Sequence, residues 1–131
     1  MSVPRVSVII RAKDEAANIG RTLRLLACQS RVPDEVIVVD SGSSDGTPEI
    51  AGRAGAQVIE IPAESFTFGG ALNTGCKAAS GDLLVALSAH AFPTQRDWIA
   101  RLVAAMGERR NVEVKLVTAD RRQLALPLRG E

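Results

Sequence analysis

Asp40 closes an aliphatic run, Val36-Ile37-Val38-Val39, and opens a polar loop, Ser41-Gly42-Ser43-Ser44-Asp45-Gly46-Thr47. An unbroken apolar run this short predicts a strand buried on both faces, as in a parallel sheet. Asp40 then stands at the strand's carboxyl end, where ligands bind in open α/β sheets. A carboxylate there either accepts N–H groups from a ligand or fixes the turn that follows it. Gly42 and Gly46 let the loop turn tightly and approach a ligand closely. Asp45 lies just before Thr47-Pro48-Glu49, where it suits capping a helix as well as touching a ligand. A second aliphatic run, 82–87, delivers Ser88-Ala89-His90 to the same kind of position, and His90 is the only histidine in the chain. A lone imidazole is either a hydrogen-bonded structural group or a ligand. A third run, Val6–Ile10, leads to Arg11, Lys13 and Glu15. The two cations are either solvated loop charges or contacts for an anionic ligand, and Glu15 equally suits a first-turn helix acid.

The spacing of the apolar residues predicts the elements that position these groups. Strands are expected at Val6–Ile10, Glu35–Val39, Gln57–Ile61 and Asp82–Leu87. Helices are expected at Asn18–Cys28, Thr47–Ala54, Ala71–Ala79 and Arg96–Met106, with a fifth strand at Val112–Thr118. Strands alternating with helices of this length imply right-handed βαβ units and a mostly parallel sheet. Loops 11–15, 40–47 and 88–95 should gather at one edge, and loop 62–70 leads from strand to helix in the same way. The whole chain, 1–131, reads as one α/β domain, with a divergent tail at 107–131.

Composition narrows the function classes. The chain has 131 residues, 46% hydrophobic and 24% charged, with a formal net charge of +1. That balance gives no reason to expect nucleic acid or an anionic membrane as the main partner. Three Phe, one Trp and no Tyr are too few for a base-stacking platform. Cys28 and Cys76 have no metal-ligand spacing and read as reduced thiols. No G-x-G-x-x-G follows the first strand, which argues against a dinucleotide-binding domain. Trp98, at helical spacing from Leu102, reads as core, and Cys76 likewise. Asp82 reads as fixing the turn after Gly81. Phe66 and Phe68 either pack their loop or line a ligand pocket.

In sequence the chain resembles the amino-terminal half of a family 2 glycosyltransferase with a GT-A fold, of the bacterial polysaccharide or rhamnosyltransferase kind. Ser7-Val8-Ile9-Ile10-Arg11-Ala12-Lys13-Asp14-Glu15 is similar to that family's opening S-V-I-I-P-x-Y-N-E. Val38–Thr47 matches V-V-D-[DS]-G-S-x-D-G-T. Phe66–Gly75 resembles F-x-x-G-x-x-x-N-x-G, and Gly81-Asp82 precedes the strand that leads to the metal loop. The similarity covers about residues 5–106. It implies a three-layer α/β/α sandwich, a nucleotide-diphosphate sugar donor (UDP-, dTDP- or GDP-linked), a divalent metal (Mn²⁺ or Mg²⁺), and transfer to a saccharide or lipid-linked acceptor hydroxyl. A metal on the diphosphate would stabilise the charge that develops as the glycosidic bond breaks.

Carried over residue by residue, the resemblance places Arg11 and Lys13 where the first loop touches the base. Asp40 and Ser41 fall at the paired positions for base or ribose, with Ser41 replacing the second acid common there. Asn73 lies where the third helix opens toward the donor, and Leu72 stands where many relatives have Arg. Glu15 and Ser88 join the donor-binding set. Ser88-Ala89-His90 replaces the usual D-x-D, which leaves His90 as the expected metal ligand. Imidazole suits Mn²⁺ better than Mg²⁺.

The family's acceptor half and its catalytic base are not recognisable after residue 106. Either the chain is a short form that binds donor without turnover, or a partner or a second copy completes it. An incomplete sheet exposes an edge and apolar surface, which favours a homo-oligomer. With no signal peptide and no membrane-length apolar run, the expected location is cytoplasmic, with at most peripheral membrane association.

Overall fold

The computed structural model describes residues 3–65, 67–106 and 114–117. In chain order the elements are β1 (Val6–Ala12), α1 (Ile19–Ala27), β2 (Glu35–Asp40), α2 (Thr47–Arg53) and β3 (Gln57–Glu60). A short 3₁₀ turn (Ala63–Ser65) leads to α3 (Phe68–Ala78), β4 (Leu83–Ser88), α4 (Trp98–Met106) and β5 (Val114–Val117). The strands form a five-stranded sheet in the order β3-β2-β1-β4-β5. Every pairing is parallel.

The sheet is covered on both sides, as its unbroken aliphatic strands require. Val6, Val8 and Ile10 of β1, Val38 of β2 and Val85 and Leu87 of β4 face Ile19, Leu23 and Leu26 of α1, Ala51 of α2 and Trp98, Ile99 and Met106 of α4. The alternate residues Ile9, Ile37, Val39 and Leu84 face Ala71 of α3, with Leu72 and Cys76 packed alongside. This is the expected three-layer sandwich. Trp98 is buried in the core, as its spacing predicts, and Cys76 packs partly buried against the core on the other face. Both cysteines are free, and burial pushes the Cys76 thiol pKa up.

Within residues 3–106, three boundaries differ from the sequence expectation by two residues or more. β1 continues through Arg11 and Ala12 instead of breaking into a loop, because Arg11 is flanked by Val39 and Ser88 in register and Ala12 pairs with Asp40. α3 begins at Phe68 rather than Ala71, since the Thr67 hydroxyl accepts the Gly70 N–H at 2.9 Å and caps the first turn despite two glycines. α4 begins at Trp98 rather than Arg96. The buried Gln29 amide donates to the Pro93 and Gln95 carbonyls and accepts the Ile99 N–H, so it holds the preceding segment out of the helix. The expected roles of Phe66 and of the tail beyond β5 lie outside the described residues.

The amino-terminal edge of the sheet is sewn by carboxylates. Asp34 accepts the Val6 N–H at 2.7 Å, and Asp82 accepts the Arg5 N–H at 2.9 Å. These bonds satisfy amides at the start of β1. Asp82 is therefore structural, at the edge opposite the strand-to-helix loops.

Gly75 sets how closely α3 approaches the sheet. A Cβ at this position would lie 2.4 Å from Ile9 Cγ2 and 3.2 Å from Val39 Cγ2. Gly52, within α2, has nothing within 4 Å of the same point. Gly75→Ala is expected to lower unfolding free energy by about 1–3 kcal/mol through overpacking. Gly52→Ala should leave it unchanged or raise it by up to about 1 kcal/mol. Denaturant melts of the two variants check this difference.

Candidate functional site

The strand order reverses between β1 and β4. The chain steps from β1 outward to β2 and β3, then crosses back through α3 to β4 on the other side. In an open parallel sheet the crevice outside such a reversal is the ligand site. β1, β2 and β4 end there at Ala12, Asp40 and Ser88, so their loops meet.

The first two loops are laced together rung by rung. Lys13 Nζ donates to the Gly42 carbonyl at 2.6 Å. The Asp14 N–H donates to Ser43 Oγ at 2.7 Å, and the Ser44 N–H returns a bond to Asp14 Oδ1 at 2.8 Å. The Glu15 N–H donates to Thr47 Oγ1 at 2.9 Å, and the Ala16 N–H to Asp45 Oδ2 at 3.0 Å. The Thr47 hydroxyl donates in turn to Asp45 Oδ1. Asp14 has a left-handed φ of 50°, which Asp tolerates better than most residues, and its two bonds hold it there. Gly42 has a φ of 78°, and a Cβ on it would meet Ala63 at 3.0 Å, so the loop after β3 closes against the same edge.

Asp40 is fully buried. Its two oxygens accept the Ser43 N–H at 2.9 Å and the Ser43 hydroxyl at 2.6 Å. The turn-fixing role is thus present, and a carboxylate retains further acceptor capacity. Ser41 is buried too, and its N–H and hydroxyl both donate to the Ala12 carbonyl, at 3.0 and 3.3 Å. Arg11 follows Ile9 on the α3 side of β1, between Val39 and Ser88, and burial lowers its guanidinium pKa.

The third loop is anchored to α1, where Thr22 Oγ1 donates to the Ala89 carbonyl at 2.7 Å. His90 is exposed at the rim, and its Nδ1 lies 2.8 Å from Glu15 Oε2. Asn18 Nδ2 donates to the other carboxylate oxygen, Oε1, at 3.3 Å. Ser88 Oγ lies 3.3 Å from each ring nitrogen.

The edge therefore unites Arg11, Lys13, Glu15, Asp40, Ser41, Ser88 and His90. Asn73 lies exposed midway along α3, and among the described residues its side chain takes no part in this network. Asp14, Ser43 and Thr47 do more here than their residue types advertise. The one signal for them is the density of short polar side chains at loop positions.

Among the described residues no group of three or more His, Cys, Asp or Glu could enclose a metal ion. His90 could supply one borderline nitrogen ligand, and Glu15 is the carboxylate beside it. Such a donor set fits a cation that takes most of its ligands from a bound molecule's oxygens, as cations on phosphates do. A groove of about 180 Å³ lined by Leu23, Leu26, Pro33 and Val36 lies at the opposite edge of the sheet and holds none of these residues.

The chain's residues 7–123 match the family model described as Glycosyl transferase family 2. The chain belongs to this family. Its GT-A fold is shared with solved glycosyltransferases. A mannosyltransferase from Pyrobaculum calidifontis, solved with GDP-Man and Mn²⁺, is 32% identical with a TM-score of 0.72, over 82% of this chain and 34% of that one. Glucosyl-3-phosphoglycerate synthase from Mycobacterium tuberculosis, solved with Mn²⁺, UDP and glucosyl-3-phosphoglycerate, is 28% identical with a TM-score of 0.65, over 79% and 39%. Glycosyltransferase AglE of Haloferax volcanii is 38% identical over 111 residues, which is 80% of this chain and 36% of AglE. The chain thus spans roughly a third of these relatives' length. Among the described residues of this family 2 chain, no helix is long and apolar enough to cross a membrane.

The rung between the Ala16 N–H and Asp45 uses an ionised carboxylate, whose pKa is lowered first by the Thr47 hydroxyl and then by the Ala16 N–H. A depressed folded-state value means the interaction is complete above the ordinary aspartate range and lost as pH falls below it. The Ala16 amide signal should titrate with a midpoint below about 3.9. In Asp45→Asn that transition should vanish. A midpoint at or above the ordinary value contradicts the Asp45 rung.

Proposed function

We propose that this chain forms the donor-binding half of a glycosyltransferase. It holds a nucleotide-diphosphate sugar, with a divalent cation, in the crevice between the β1 and β4 loops. The observation that carries this is the meeting of three loops at the strand-order reversal, with His90 brought to the crevice rim beside Glu15. The relatives solved with GDP-Man and Mn²⁺ or with UDP and Mn²⁺ support the ligand class.

In this reading the laced loops present their edge to the nucleoside. Lys13 and Arg11 lie nearest the base, Asp40 and Ser41 shape the floor for base or ribose, and Asn73 and Ser88 flank the diphosphate. His90 would hold the cation, whose chemistry is to neutralise charge gathering on the leaving diphosphate. A diphosphate supplies the oxygens that His90 alone does not. The proposed reaction of the whole protein is transfer of the sugar to a saccharide or lipid-linked acceptor hydroxyl, in polysaccharide or glycolipid synthesis.

Calorimetric titration with UDP, dTDP and GDP, each with and without Mn²⁺, tests this. One nucleotide should bind with Mn²⁺ and at least tenfold more weakly without it, a difference of about 1.4 kcal/mol or more. His90→Ala should remove the Mn²⁺ dependence. No binding of any of the three by folded protein contradicts the proposal.

A further inference from the structure

Glu15 stands two positions beyond Lys13 on the first loop, yet its carboxylate is turned away from the second loop and toward the third. Three bonds fix that direction. Its own N–H is held by Thr47 Oγ1 at 2.9 Å, its Oε1 accepts from Asn18 Nδ2 at 3.3 Å, and its Oε2 lies 2.8 Å from His90 Nδ1. The Glu15 side chain is 19% exposed, whereas that of His90 is 57% exposed. The acid is thus the fixed member of the pair, and the imidazole is the rim group it orients.

An ionised carboxylate only accepts, so a bond at 2.8 Å requires a proton on His90 Nδ1. In the neutral ring Nε2 is then unprotonated, and its lone pair is open to a cation or to the Ser88 hydroxyl 3.3 Å away. Ser88 Oγ, at 3.3 Å from both ring nitrogens, is the longer and less selective contact and does not choose between them. Ligating imidazoles are held in this way, by a carboxylate on the nitrogen away from the metal.

The geometry points to Glu15 as a positioning residue, not a donor contact: it fixes His90 in the tautomer protonated at Nδ1 and presents Nε2 to a divalent cation. This rests on the reading of His90 as the metal ligand. It assigns the metal loop's missing carboxylates a partial substitute, supplied by the loop after β1 and acting through the imidazole.

Because His90 is the only histidine, its ring is directly observable by long-range ¹H–¹⁵N NMR in the whole chain. Spectra of metal-free protein at about pH 8, above the ordinary histidine range, should show a protonated Nδ1 and a bare Nε2. Glu15→Ala should release the ring to a mixture of tautomers and weaken Mn²⁺ binding, read with a nucleoside diphosphate present, by about 10- to 100-fold. Glu15→Gln keeps an acceptor oxygen and should restore most of both. A proton on Nε2 in the unaltered protein, or a tautomer indifferent to Glu15→Ala, overturns the inference. The readings also separate. A fixed tautomer with no Mn²⁺ broadening of the His90 signals upholds Glu15's orienting role and removes the metal assignment instead.

Discussion

The structure depends on β1 being hydrogen-bonded on both sides, to β2 and to β4, with all three strands parallel. A central parallel strand gives its carboxyl-end loop two neighbours that leave the sheet on the same edge. Because the order reverses beside β1, the chain leaves to β2 on one side of it and returns to β4 on the other, and a crevice opens between their loops. Residues near position 15 can therefore touch residues near 45 and near 90 at once. The lacing by Ser43, Asp45 and Thr47 and the contact from Glu15 to His90 are consequences of that pairing.

Two devices make the pairing hold. Aliphatic residues cover both faces of the inner strands, and Gly75 lets α3 settle directly onto Ile9 and Val39. At the far edge, Asp34 and Asp82 occupy amides at the start of β1. Stabilising groups thus gather at the amino-terminal edge, and polar groups with spare hydrogen-bonding capacity gather at the carboxyl-terminal one.

Much of this was legible in the sequence because unbroken aliphatic runs signal buried parallel strands whatever surrounds them. The runs at Val36–Val39 and Leu83–Leu87 located Asp40 and His90 at one edge without any structure. What escaped was whatever depends on strand order and register. Nothing in the residues tells that Glu15 meets His90 across 75 positions of chain, or that Asp14 and Ser43 bond across 29. The first contact follows from β4 lying beside β1, the second from β2 lying on its other side. The early start of α3 escaped for a local reason, since Gly69 and Gly70 argue against a helix until Thr67 is seen to cap it. The family resemblance supplied the ligand class, which strand patterns do not contain.

The central claim is that the crevice between the β1 and β4 loops holds a nucleoside diphosphate and a cation fastened at His90. The most direct measurement is anomalous diffraction at the manganese edge from crystals grown with Mn²⁺ and the nucleotide that binds. A single strong peak in bonding contact with His90 Nε2 and the diphosphate, with the base lying along the β1 and β2 loops, is the predicted result. A peak remote from His90, or a nucleotide seated in the groove at the opposite edge of the sheet, would contradict it.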